Sequence, residues 1–386
     1  TMTAVAGNGY PIDTTSNACT ITLPSSASDG DTIIFTDYAR NWGTNGIVLD
    51  SNGLNYQGDD DTFDVEYGTD GQNVRIVYSG ATNGWIPTLD KTVSDAPVAP
   101  TQAVFAYGYV SAVTNLSNLV STAGVVASDT AGVGTARNRT VGANYGGDKG
   151  LFFGGSAGAR VGMTNLVTNV GVIGTDVTAV GTARSGMAGP GYGTNLAVLA
   201  YGYSASGYGA IRNLISSSGV VASDTTVAGG TGRNGTSGAR YGSGTAIIAY
   251  GATGGGNLNV SNLVSDVGAV SADVSGVGDI AYGRASAEYG GDKCFFAYGW
   301  QTSVASVKNL VSNSGVVAAN VTGVGTARGY PTGASLGSRQ TAIVVFGQAS
   351  GGNTAISNLV SNVGVVAADT AGVGTAKKEA GATEFG

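Results

Sequence analysis

Hydrophobic positions along the chain gather in short runs rather than in helical stripes. From residue 103 onward, apolar runs of five or six residues recur at 103–108, 150–154, 197–202, 246–251, 294–299 and 342–347, each ending in glycine. Runs of that length, bounded by Gly, Asp, Asn and Ser, predict strands buried on both faces. Before residue 93 the pattern changes. Alternation of apolar and polar residues at 18–23, 31–37, 46–50 and 73–79 predicts strands of a half-buried sheet. No apolar stretch approaches the roughly 18 residues of a membrane-spanning helix, so membrane insertion is not expected.

The second region repeats. The pair Asn-Leu recurs at Asn118, Asn165, Asn213, Asn262, Asn309 and Asn358, at spacings of 47, 48, 49, 47 and 49 residues. Glycine follows six positions later in every copy (Gly124, Gly171, Gly219, Gly268, Gly315, Gly364). At the eleventh stands Asp129, Asp176, Asp224, Asp273, Asn320 or Asp369. A fixed period of this length marks one supersecondary unit used again and again. In the second copy, 137–145 reads as a first strand ending in a Gly-Gly-Asp-Lys turn, 150–154 as a second and 165–168 as a third. A short connection ending in glycine then opens a fourth. Four strands per repeat is the β-propeller pattern.

The ends of the region complete each other. The first copy, beginning near Ala103, has no first strand of its own, while 376–386 aligns with 136–146, placing Lys377 on Arg137 and Phe385 on Tyr145. The expected fold is therefore all-β: a six-bladed propeller of four-stranded blades over 102–386, closed by the C-terminal strand. A small β domain over 1–92 precedes it, and 93–101, with two prolines, is the expected linker.

Composition narrows the chemistry. The 66 glycines lack collagen's every-third spacing, and 42% hydrophobic against 11% charged residues excludes a charged disordered polymer. The absence of histidine removes Ser-His-Asp and Cys-His catalysis and histidine-ligated zinc. Eighteen basic residues are scattered in a chain of net charge −7, so nucleic acid is not an expected partner. Cys19 and Cys294 lie too far apart in sequence for a zinc cluster or disulfide framework, and Cys294, in Cys-Phe-Phe-Ala-Tyr, reads as a buried thiol. No cofactor is expected. The first residues show no secretory signal, and a start at Thr1 points to residues upstream.

The repeats Asn-Leu-Val-Ser-Asn-x-Gly-Val-Val-Ala-x-Asp-Thr-x-Gly-Val-Gly-Thr-Ala-Arg and Tyr-Gly-Gly-Asp-Lys-x-x-Phe-x-Tyr-Gly resemble kelch-like propeller repeats of tailed-phage structural proteins, over about three quarters of the chain. Segments 10–14, 20–24, 30–32 and 36–39 resemble a β domain of phage tail-fibre proteins. The resemblance implies an extracellular virion appendage, tail-fibre-like, that binds a host-surface glycan or protein. It also implies other virion proteins as partners, and a homotrimer. A head or neck decoration protein without receptor role and a glycan depolymerase are the alternatives.

Several residues invite chemical readings. The acid at the eleventh position could form a ring of carboxylates for cations, or cap a turn by accepting backbone N–H groups; the repetition favours the cap. Arg137, Arg184, Arg233 and Arg328, with Lys377 in the sixth slot and Ala281 breaking the series, could line a cationic ring for anionic glycan. The simpler reading pairs them with the preceding Asp or with carbonyls between blades. The run Asp59-Asp60-Asp61-Thr62-Phe63-Asp64 lacks EF-hand spacing and reads as a solvated loop rather than a calcium site. After the second strand, repetition breaks down: the occupants are Tyr109, Ser156, Tyr203, Ala252, Trp300 and Gln348, followed by loops of varied sequence. Variable loops on a rigid scaffold are where recognition lives. Tyr109, Tyr203, Trp300 and Gln348 are the candidate ligand-binding residues, against the alternative that the aromatics pack under their own loops. No sialidase box occurs. The repeat region has three glutamates, Glu288, Glu379 and Glu384, and no acid–base pair is expected.

Overall fold

The computed structural model of the chain describes residues 1–60, 64–89, 94–95, 102–178 and 180–386. The fold is all-β, with no helix among the described residues. It divides into two compact units, Thr1–Val98 and Ala99–Gly386.

The alternating strands of the first unit bury every second side chain, as in Thr32–Asp37. They build two sheets rather than the one expected. The first carries Met2–Thr3, Cys19–Thr22, Ile47–Asp50, Val65–Tyr67 and Ser94–Asp95; the second carries Gly9–Ile12, Thr32–Asp37, Asn73–Tyr78 and Trp85–Pro87. Buried residues of both sheets, among them Ile21, Leu49, Phe35 and Ile76, share one core with Trp42 and Trp85. Alternation fixes which face of a strand is buried, but not which sheet the strand joins. Ser94–Asp95, two residues of the expected linker, pair with Val65 and Glu66 of the first sheet. The rest of 93–101 lies outside the described residues.

In the second unit each repeat forms an antiparallel ladder of first, second and third strands. In the second repeat these are Val141–Tyr145, Lys149–Phe153 and Thr164–Val167. The ladder of the first repeat draws its first strand from the other end of the chain: Gly381–Phe385 pairs with Gln102–Ala106, Gln102 facing Phe385. The first strand is shorter than expected from 137–145. Arg139 takes a left-handed backbone (φ 53°), which ends the extended course before Val141.

The fourth strand is much reduced. In the first repeat it survives as isolated bridges, Val120 to Val126 and Ser117 to Thr130, and the other repeats show equivalent bridges at one or both positions. The third repeat adds a two-residue strand, Thr225–Thr226. The Asn of the repeat contributes. Asn118 Nδ2 donates to Ala127 O (3.1 Å) and to Asp129 Oδ1 (2.9 Å), so a side chain occupies one backbone acceptor of the fourth segment. The same two bonds recur from Asn165, Asn213, Asn262, Asn309 and Asn358. The glycine at +6 has φ of 75° to 78° in all six copies, the left-handed turn that reverses the chain.

Past their first residues the second strands run apolar because both their faces are covered. Leu151 and Phe153 join a cluster with Leu199 and Ile215 of the third repeat, while Phe152 joins Val104 and Phe385 of the first. Among the described residues, six such clusters each join two successive sheets. Cys294 is fully buried in one of them, and both cysteines are free. First strands pack on the sheet of the next repeat, and Thr332–Leu336 of the sixth packs on Gly381–Phe385 of the first.

Candidate functional site

The arginine series is structural, not a cationic ring. Arg137, Arg184, Arg233 and Arg328 are wholly buried. Arg137 donates from Nε to Gly154 O (2.8 Å), from Nη1 to Thr135 O (3.1 Å) and from Nη2 to Asn165 Oδ1 (2.6 Å). Its guanidinium lies 3.8 Å over the ring of Tyr107 in the preceding repeat. Arg233 over Tyr201 and Arg328 over Tyr298 repeat the arrangement, and Lys377 over Phe346 stands in for it. These aromatic residues hold left-handed backbones at the ends of the second strands, a conformation costing roughly 1 kcal/mol or more that the stacked cation helps to hold. The carboxylate within reach of Arg137 is Asp176, 3.7 Å away and later in sequence, not the preceding Asp.

The repeated Asp joins neighbours rather than capping its own turn. Asp176 Oδ2 accepts from the N–H (2.9 Å) and hydroxyl (2.7 Å) of Thr135, in the connection from the previous repeat. Asp129 does the same with Thr375 across the two ends of the region. Burial alone would raise these carboxyls, but the bonds from Thr and Asn hold them below the usual range. One repeat departs from the pattern in a compensated way. Asp279 replaces the threonine, and Asn320 replaces the acid facing it, which removes a like-charge contact. Where Ala281 breaks the arginine series, Arg284 fills the same place three residues later, donating to Asn309 Oδ1 (2.8 Å) and lying over Tyr250. The sequence signal for Arg284 is an arginine displaced within an otherwise aligned connection.

Segments from all six repeats line a shared cavity of about 170 Å³. On its wall stand Arg139, Gly186, Gly235, Gly283, Tyr330 and Glu379, one from each connection into a first strand. All six hold left-handed backbones, with φ between 53° and 69°. Backbone bonds link several of them directly: Arg139 N–H to Glu379 O (2.9 Å), Gly186 to Arg139 (3.1 Å), Gly283 to Gly235 (2.9 Å), Tyr330 to Gly283 (2.9 Å) and Glu379 to Tyr330 (3.3 Å). Arg139 Nε donates to Glu379 Oε1 (2.9 Å), and Asn138 donates to the other carboxylate oxygen. The rings of Tyr282 and Tyr330 meet edge to face, with centroids 5.5 Å apart.

Deeper in, Gly142, Gly189, Gly238, Ser286, Gly333 and Ala382 separate this cavity from a second of about 70 Å³. A Cβ added at Gly142 would overlap the Ala382 carbonyl, so backbone contact sets the width there. Beyond it stand Arg240, Glu288 and Glu384. Glu288 lies 3.9 Å from Arg240 and 3.7 Å from Arg339, which also approaches Glu384. All three glutamates of the repeat region therefore line these two cavities, Glu379 the larger and Glu288 and Glu384 the smaller, which sequence reasoning missed. The signal was the alternation in the first strands, where 142 and 144 and their equivalents carry the small and polar residues.

Burial pushes the Glu288 carboxyl up to about 7, with Arg339 opposing and Glu384 adding to the shift. Below the ordinary glutamate range this residue is protonated folded and unfolded alike. From there to about pH 7 the unfolded chain releases its proton first, so stability falls as pH rises. Glu288→Gln is expected to raise stability at pH 8 by on the order of 2 kcal/mol, and to change little at pH 4. Thermal melts of both proteins at the two pH values check this.

Tyr109, Tyr203, Trp300 and Gln348 all lie outside the cavity, half-buried, at equivalent places beside its rim. Tyr109 pairs with Lys378, Trp300 with Tyr282 and Gln348 with Gly329, each beside or on a wall residue. Each also pairs across its own hairpin: Tyr109 with Val113, Tyr203 with Tyr208, Trp300 with Val304 and Gln348 with Asn353. Around the six repeats, aromatic residues alternate with Ser156, Ala252 and Gln348. The hairpins bearing these smaller residues reach to the next loop. Asn257 donates to Trp300 O and Gln301 O, and Asn353 to Tyr109 O and Val110 O. At the third such place stands Arg160, which lies 4.6 Å over the Tyr203 ring.

Residues 61–63 of the expected solvated loop lie outside the described residues. Among the described residues no group of three acidic or cysteine side chains could hold a metal ion. No protein-family model matches the chain, and no curated protein is significantly similar to it.

Proposed function

We propose that 99–386 is a six-bladed β-propeller, closed by Gly381–Phe385, which presents one face of variable hairpins to a glycan on a bacterial surface. The chain is then an extracellular, tail-fibre-like appendage of a tailed-phage virion, and 1–98 joins it to other virion proteins or to further copies of itself. The passage of sheet-on-sheet contacts from the sixth repeat back to the first supports the ring. One observation carries the binding role. At two of three equivalent places an asparagine fastens the next loop to backbone carbonyls, but Arg160 makes no such bond and leaves its N–H groups free over Tyr203, beside exposed Tyr208. An aromatic face with an unfastened guanidinium is a surface for sugar rings and their oxygens.

The test uses the full chain, fluorescently labelled, on intact bacterial cells. Binding is expected to fall at least tenfold when Tyr109, Tyr203 and Trp300 are replaced by Ala together, and after periodate oxidation of the cell-surface glycans. Binding that survives both treatments refutes the reading.

A further inference from the structure

The six left-handed positions on the wall of the larger cavity are not equivalent. Three are glycine (Gly186, Gly235, Gly283), for which a positive φ is free of steric cost. The other three are Arg139, Tyr330 and Glu379, from consecutive repeats, and each holds a backbone that its own Cβ disfavours. Since three repeats fill the position with glycine, the backbone itself does not require these side chains. Backbone strain kept where a relaxed alternative is at hand points to a role for the side chains.

Those side chains meet one another. The Arg139 guanidinium donates to Glu379 and lies 5.6 Å from the Tyr330 ring centroid, and Tyr330 stands edge-on to Tyr282. Charge and aromatic surface thus gather where Arg139, Glu379, Tyr330 and Tyr282 meet, while Gly186, Gly235 and Gly283 present backbone at the equivalent places. Resting on the reading that this face binds glycans, we propose that the cavity receives the terminal ring of a glycan chain, one neutral hexose.

The chemistry fits that ligand. Arg139 and Glu379 cancel in charge, and Arg284, which also lines the cavity, is bonded to Asn309 Oδ1 and to the carbonyls of Tyr298, Phe296 and Val307, so the site favours a neutral molecule. They place a donor and an acceptor side by side, which is what adjacent sugar hydroxyls need, since each both donates and accepts. Tyr282 and Tyr330 offer ring surface to the C–H face of a sugar. At about 170 Å³ the space has room for several waters, and so for one ring. Gly142, Gly189, Gly238, Ser286, Gly333 and Ala382 line the boundary with the smaller cavity, so the larger space is the one a terminal ring would fill.

Glycine is the informative replacement because the fold already uses it at this position. The full chain is titrated with methyl glycosides of glucose, galactose and mannose, observed by saturation-transfer NMR, beside Tyr330→Gly and the double variant Arg139→Gly/Glu379→Gly. At least one glycoside is expected to bind the unaltered chain and to lose tenfold or more in affinity in both variants, while their melting temperatures stay level or rise as strain is released. Glycoside binding that persists in the variants overturns the site, as do variants that melt well below the parent. If no glycoside binds but the chain still adheres to bacterial cells, this site fails and the display reading stands. Absence of both overturns both.

Discussion

Deletion of residues 381–386 is expected to abolish the cooperative unfolding transition of the repeat region. These residues supply the first strand of the first repeat, and five of them pair with Gln102–Ala106. Phe385 is buried in a cluster with Val104, Phe152, Val167 and Ile173. Removing a buried phenylalanine costs about 3–5 kcal/mol by itself. Here the loss adds the ladder bonds, the Thr383 hydroxyl bond to Ala143 O (2.9 Å), and the cover over apolar residues of the second repeat. The sum approaches the whole stability of a typical domain, about 5–15 kcal/mol. Calorimetry on the full and shortened chains measures it. A shortened chain that melts within a few degrees of the parent would show that the two ends contribute little to each other.

Arg184→Met carries the second largest expected effect. The guanidinium has no exposed surface and donates to Tyr201 O (2.8 Å), Thr182 O (3.2 Å) and Asn213 Oδ1 (2.6 Å), with Asp224 at 3.6 Å. Burial lowers its pKa to about 10, against the pull of Asp224. Methionine keeps the volume but takes the donor from Tyr201 O, Thr182 O and Asn213 Oδ1 and the charge from beside Asp224, which keeps its bonds from Thr182 and Asn213, a loss of about 3–5 kcal/mol. Arg184→Lys is expected to recover part of that, because Lys377 already serves the equivalent place. Lys377 reaches Asn118 Oδ1 at 2.8 Å, though burial lowers its pKa to about 8. Urea midpoints of the three proteins check the order: parent, then Lys, then Met.

The repeat pattern carried a great deal because each spacing is the span of one physical bond. The acid stands eleven residues after the asparagine because one amide bonds it directly, and the glycine at +6 stands where the chain must turn left-handed. The alignment of Phe385 with Tyr145 foretold which strand completes the first ladder. What stayed hidden depends on partners distant in sequence. The role of Arg137 rests on Asn165 and on a ring of the previous repeat, and nothing local distinguishes a buried arginine from one lining a channel. The weakness of the fourth strand was invisible for a related reason, since a side chain outside the strand occupies one of its backbone acceptors. The placing of Glu379 on one cavity and of Glu288 and Glu384 on the next needs all six first strands to be placed before it can be seen. Tyr109, Tyr203, Trp300 and Gln348 were legible as departures from repetition, while Arg160 and the left-handed trio Arg139, Tyr330 and Glu379 were not.

The pairing of Gln102–Ala106 with Gly381–Phe385 also governs how the protein is made. The second strand of the first repeat leaves the ribosome roughly 280 residues before its partner, a delay on the order of tens of seconds at ordinary elongation rates. Throughout that interval the nascent first repeat shows an open edge, and Val104 lacks the cover of Phe385. Later repeats can stack on one another in the meantime, but the codons for 381–385 decide when the sheet of the first repeat becomes safe from neighbouring polysomes.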